Sequence, residues 1–559
     1  MKLTKPLILI TSISLLSACS NKNNDVANVP AAQNEIQNTL ASYIPLQCYT
    51  KTQGVDKVHN PCFSCHTTGT IPNYLDDSEF QLLYDFRDST RKNPWTNAFK
   101  DRSQAVADIS NNEILEYIRQ SNYFDETNAI KLANLLSSEP PANWDINDNR
   151  QWDGYIPDTY FNFDSEGFDQ TPSGTDTGWR AFGYYPFLGT FWPTNGNISD
   201  VLIRLAPEFR QDTSGKESRA VYKLNLAVVE SMIRQKNIPI DPTDEALFQV
   251  DLNKNGQVDT ATEVVFDWAP LDNRYMSYVG KAKELFEENK LEMAAGLYPT
   301  GTEFLHTVRY VDFNETNEVS LSARVKELRY AKKYGWNNYT QLKNVVLAEA
   351  KETVAFPDAL RTIKGDAEFG VSNNQGWAYQ GFIEDQNGEL RPQSYEESLT
   401  CVGCHSGVGT TTDSSFSFPR RLGNDAHQQG WFHWTQKTIH GISEPKWKDD
   451  TYDYTKYLIE NHSANEFRTN AEVEAKFFDS SGNLKQEVVN QLHEDISVLL
   501  TPSFDRAMEL NKAYKVIVDE QSYIYGRDPH VKPLDNVWDV LPEGEETGIT
   551  EAVITQPLQ

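Results

Sequence analysis

Two pentapeptides hold the residues best able to do chemistry: Cys-Phe-Ser-Cys-His at 62–66 and Cys-Val-Gly-Cys-His at 401–405. In each, two thiols stand three residues apart and an imidazole follows the second. A bare C-x-x-C in an exported protein would serve a disulfide, a thiol–disulfide exchange site or half of a zinc cage. The histidine adds another possibility. In a helical turn, positions i, i+3 and i+4 share a face, so both thiols can add across the vinyl groups of a haem while the imidazole reaches its iron. Cys62, Cys65, Cys401 and Cys404 are then covalent thioether positions, with His66 and His405 the proximal ligands of two irons.

What such a haem does depends on its sixth position. Two strong protein ligands make an electron shuttle, whereas an open or weakly held site binds small substrates. The candidate distal ligands are His59, just ahead of the first motif, His427, His433 and His440 in "HQQGWFHWTQKTIHG", and Met508. Cys48, alone in "PLQCYTKT", reads either as an inert buried thiol or as a thiolate ligand.

Both segments resemble c-type cytochrome attachment sites, and over these two neighbourhoods the chain resembles dihaem c-type cytochromes. The resemblance implies two covalently attached haem c groups and electron transfer at the bacterial cell envelope. It also implies a redox partner protein or a small-molecule electron donor or acceptor. The alternative is a haem-dependent oxidoreductase, peroxidase-like or acting on another small substrate, with one catalytic haem and one relay. From Cys62 to Cys401 is 339 positions. Dihaem cytochrome c peroxidases place their motifs much closer together, so their fold does not transfer.

A third pattern, "DLNKNGQVDTATE" at 251–263, resembles a calcium loop. Asp251, Asn253 and Asn255 offer oxygens at alternate positions, Gly256 permits the turn, the Gln257 carbonyl follows and Asp259 adds a ligand. The closing acid, Glu263, arrives one place late. "DINDNRQWD" at 145–153 has Arg150 where glycine should be and reads as a plain loop.

The elements around these residues begin with Lys2 and Lys5 before an apolar run, Leu7 to Leu16, too short to span a bilayer permanently. This reads as a signal peptide, residues 1–18. Leu16-Ser17-Ala18-Cys19 resembles a bacterial lipobox, which implies lipidation at Cys19. Ser20 after it resembles the choice of the outer membrane, on its periplasmic or surface face. Contact with membrane is then through the N-terminal lipid only.

Residues 19–44, polar and Asn-rich, read as a flexible tether. A formal net charge of −29 disfavours nucleic acid as a partner. With 39% hydrophobic and 12% aromatic residues, the remainder can bury a large core.

The periodicity predicts a multi-segment globular protein, mainly α around two c-type haem sites, with a turn-rich mixed α+β middle. Residues 45–140 form the first haem region and 141–300 the turn-rich region with the calcium loop. A helical region follows at 301–400, including "SLSARVKELRYAKKYG", and a second haem region at 401–545.

Overall fold

The computed structural model describes residues 43–558 apart from 54–59, 358–361, 424–429, 464, 466 and 468–469. The signal peptide, Cys19, the tether up to residue 42, His59 and His427 lie outside the described residues.

Eleven strands are formed among the described residues: β1 (Phe168–Gln170), β2 (Asp176–Phe182), β3 (Ile198–Arg204), β4 (Ile238–Asp244), β5 (Thr260–Val264), β6 (Glu303–Phe313), β7 (Val319–Lys333), β8 (Gly365–Asp366), β9 (Gly370–Ser372), β10 (Trp377–Glu384) and β11 (Leu390–Pro392). Nine of them make one sheet in the order β1-β2-β3-β6-β7-β10-β9-β8, with β11 beside β10, while β4 and β5 pair separately. Every pairing is antiparallel.

This overturns the mainly α expectation. The decisive segment is "SLSARVKELRYAKK", which forms most of β7, not a helix. Its Arg, Lys, Glu, Leu and Ala are good helix formers, but intrinsic propensity yields to tertiary context. Most of its charges, which resemble the solvent face of a helix, are buried inside the protein. Arg324 meets Glu384 at 2.7 Å, Glu327 meets Arg527 at 2.8 Å, and Lys333 meets Asp413. A buried ion is tolerated only when a partner and further hydrogen bonds replace water.

Both faces of the sheet are covered. On one, Trp179, Leu202, Leu305, Leu328 and Phe382 pack with Tyr123, Leu132, Trp144 and Trp152. On the other, Ile203, Phe304, Trp377 and Tyr379 pack with the helix Arg219–Arg234 and with Leu399 and Val402. That helix lies inside the region read as turns; most of its residues are buried, and Arg219, Lys223, Glu230 and Arg234 share one polar face. The helices Asn111–Arg119 and Phe504–Glu520 close a further cluster with Tyr310 and Ile383.

Candidate functional site

The second CxxCH ends a helix, Tyr395–Cys404, whose first turn is fixed by a capping box. Ser394 Oγ accepts from Glu397 N at 3.2 Å and Glu397 Oε2 accepts from Ser394 N at 2.8 Å. Arg391 grips the same carboxylate through two nitrogens, each at 2.8 Å. The first CxxCH lies on a single 3-10 turn, Pro61–Ser64, with Pro61 at its start and the Asn60 side chain accepting from Cys62 N at 2.7 Å. In both, the histidine N–H bonds back to the first cysteine carbonyl, His66 to Cys62 at 2.7 Å and His405 to Cys401 at 2.8 Å. This is the helical closure that puts two thiols and an imidazole on one side of the chain.

Each imidazole is oriented through Nδ1. His66 Nδ1 donates to Asp77 Oδ2 at 2.8 Å, and His405 Nδ1 donates to the Ser414 carbonyl at 3.0 Å. Carboxylates and carbonyls only accept, so Nδ1 carries the proton and Nε2 keeps the free lone pair, as a metal-binding imidazole requires. His405 stacks on Tyr379 at 5.1 Å with 27° between planes, and Phe416 stands at 5.6 Å. Burial, with Arg329 adding to it against the Ser414 hydrogen bond, pushes His405 down to about 4, so the ring is neutral near pH 7. The loop presenting Ser414 holds Asp413 and Ser414 at φ 49° and 60°. Two successive non-glycine residues in this region are strained. Asp413 is secured by Lys333 and by Tyr298 N, which donates to it at 2.9 Å.

The two motifs, remote in sequence, touch. Thr410 N donates to the Cys65 carbonyl at 3.1 Å, and Gly409 N donates to Asp77 Oδ2 at 3.2 Å. Asn73 Nδ2 donates to the Val408 carbonyl at 2.7 Å. A Cβ on Gly409 would lie 1.8 Å from the Thr67 carbonyl oxygen, and one on Gly403 would lie 1.7 Å from that of Tyr43. Glycine alone permits both approaches. Cys48 is near both motifs: burial first, then the thiols of Cys62 and Cys404, push it well up, which keeps it a protonated, inert thiol.

The cysteines at 48, 62, 65, 401 and 404 are unbridged. Among the described residues no cluster of three or more His, Cys, Asp or Glu is placed to hold a metal ion by itself. Free thiol pairs, each followed by an imidazole with Nε2 available, fit a haem tethered at both segments.

The candidate distal ligands scatter. His433 has both ring nitrogens engaged, Nε2 with Asp200 and Nδ1 with Thr435, each at 3.0 Å. His440 Nδ1 bonds Ser497 at 2.8 Å on a half-exposed side chain. Met508 packs with Ile198, Tyr310 and Ile517, a cluster separate from the one around Val402 and Cys401. The sequence reading missed two shielded imidazoles, His306 on β6 and His530, whose Nε2 atoms have no hydrogen-bond partner among the described residues.

In the calcium-like loop, Asp251 Oδ2 accepts from Gly256 N at 2.9 Å, while the Asn253 and Asn255 side chains converge on Asp259 at 3.1–3.3 Å. Asp251 Oδ1 is shielded and unpartnered. Gln257 N donates to Asn255 Oδ1 at 2.8 Å. Glu263 goes elsewhere, into β5, where it accepts from Asn237 at 3.2 Å. Glu245 braces the loop from behind by accepting from Leu252, Asn253 and Asp259 N–H groups. The segment 145–153 is a loop that repeats this pattern. Asp145 accepts from Arg150 N at 2.6 Å, Asn147 and Asn149 converge on Asp153, and Glu368 is the brace. Arg150 takes the turn at φ 65° where Gly256 takes it at 86°.

Comparison with known proteins shows the family of the chain. A family model described as "-like lipoprotein" matches residues 32–490. The chain belongs to this lipoprotein family. An uncharacterized lipoprotein of Aquifex aeolicus (strain VF5) is 31% identical over 574 aligned residues, which cover 91% of this chain and 90% of the relative. No solved structure matches. The match corrects the assignment by resemblance to dihaem c-type cytochromes: the family that spans both motifs is one of lipoproteins. The lipoprotein is exported and lipid-anchored. No helix among the described residues is long and apolar enough to cross a membrane.

Proposed function

We propose that this lipoprotein attaches one haem at Cys62, Cys65 and His66 and another at Cys401, Cys404 and His405, and transfers electrons at the outer membrane. The observation that supports it best is the convergence of the two motifs. One carboxylate, Asp77, accepts from His66 and from Gly409 of the second motif's tail, so the fold joins two sites that the sequence separates. Haem at these positions supplies one-electron Fe(III)/Fe(II) chemistry. The chain itself fixes the imidazole tautomers and holds the two segments against each other. Electrons would enter and leave through a redox partner protein or a small-molecule donor or acceptor, and the acidic surface suits a basic partner.

The test is the covalent haem content of the purified full-length lipoprotein, from its alkaline pyridine spectrum and from haem staining after denaturation. Two haems per chain, each titrating with one electron, are expected. A chain with no covalent haem overturns the reading.

A structural calcium ion at Asp251, Asn253, Asn255, the Gln257 carbonyl and Asp259 is a second part of the proposal, supported by the shielded, unpartnered Asp251 oxygen. Added calcium should raise the melting temperature by a few degrees, EDTA should reverse this, and Asp251→Ala should abolish it. A melting temperature indifferent to calcium removes the ion from the account.

A further inference from the structure

The strand register brings a residue outside every motif to the second site. Gly381 of β10 is opposite Arg329 of β7, Arg329 is opposite His306 of β6, and His306 is opposite Val201 of β3. Residues directly opposite in a ladder point to the same face. Tyr379, two residues from Gly381, shares that face, and its ring carries the His405 imidazole. With strands ~4.8 Å apart and ~3.4 Å per residue, the Cα of His306 lies ~10 Å across and ~7 Å along from that of Tyr379.

The environment of His306 agrees with this placement. Phe191 meets its ring edge-on at 5.1 Å, and the Arg329 guanidinium lies over Phe191 at 5.0 Å. The His306 Nε2 is shut off from solvent without a hydrogen-bond partner. A buried polar atom that bonds to nothing calls for an explanation, and a bound ligand is one. His433, by contrast, has both nitrogens satisfied.

We propose that His306 is the sixth ligand to the iron of the haem held by Cys401, Cys404 and His405. This rests on the haem assignment above and deepens it. A second imidazole makes that iron six-coordinate and low-spin, an electron relay closed to small substrates. Any binding of peroxide or another small molecule then belongs to the first site.

The experiment uses the full-length lipoprotein with its haems attached. Haem content is counted first, and low-temperature EPR and visible spectra are then recorded on wild type, His306→Ala and His306→Met. His306→Ala should keep two covalent haems, lose one low-spin signal and gain a high-spin one, with added imidazole restoring the low-spin form. His306→Met should remain low-spin and raise the potential of one haem only. Two retained haems with spectra unchanged in His306→Ala and potentials unchanged in His306→Met overturn the inference. So does a spin change that appears in His530→Ala but not in His306→Ala. A wild-type chain without covalent haem overturns the haem assignment itself, and this inference with it.

Discussion

His66 and His405 end the same pentapeptide, yet their settings differ. His66 gives its Nδ1 proton to a carboxylate on a loop of 3-10 turns. His405 gives its proton to a main-chain carbonyl, at the end of a capped helix packed on a sheet. An anionic acceptor makes the imidazole a stronger electron donor than a neutral carbonyl does, and a stronger donor favours Fe(III). On the proposed haem assignment, the motif sets where a haem attaches while its surroundings set the potential. The first haem should therefore have the lower potential of the two.

The comparison is broken most severely by removing one site. The double change Cys401→Ala, Cys404→Ala should reduce covalent haem from two per chain to one, read from the pyridine spectrum. Loss of both would show that the first site cannot load without the second.

Gly409→Val attacks the contact between the sites. Its side chain would press on the Thr67 carbonyl and Asp77, and overpacking of this kind costs about 3 kcal/mol. Denaturant unfolding would measure that loss, and a cost near zero would mean that the two motifs are not held as tightly as the contact distances imply.

Asp77→Asn sharpens the electronic difference. It weakens an acceptor that serves His66, Thr67 and Gly409, at about 2 kcal/mol, and should raise the first potential while leaving the second in place. Redox titration decides this, and equal movement of both potentials would refute the separate tuning.

The smallest effect concerns the second site alone. Asp528 lies near Cys404, and burial, opposed by Arg527 and Arg329, pushes its carboxyl from 3.8 up to about 6. A carboxyl raised in the folded state adds stability that is complete below about pH 4 and lost as pH rises through about 6. Asp528→Asn should flatten that part of the stability–pH curve, which unfolding at pH 4.5 and pH 7 can measure.

The two CxxCH motifs were legible because their residues stand side by side in the chain. The oxygen-rich turn at 251–259 was legible for the same reason, although its supposed closing acid, Glu263, instead pairs along β5. The sheet was not legible, because β7 carries its charges inward and the partners Glu384, Asp413 and Arg527 are remote in sequence. His306 left a faint trace in "EFLHTVRYV", where alternation gives it the same parity as Phe304 and Val308. A histidine on an apolar face was visible there. What it faces depends on a register running through β7 to β10, which no local pattern supplies.

Gln81 Nε2 donates both to the His66 carbonyl and to the Val553 carbonyl, and Val553 N returns a bond to Gln81 Oε1. Nearby, Tyr84 N donates to Glu545, Lys51 N to Asn536, and Trp538 N to Tyr49. The floor beneath the first motif is thus made from residues 536–553, far downstream in the chain. During export, Cys62 and Cys65 emerge well before the downstream backbone that encloses them. The second motif meets much of its supporting sheet already translocated. The first motif therefore depends on contacts far downstream in the chain, whereas the sheet supporting the second precedes it in sequence.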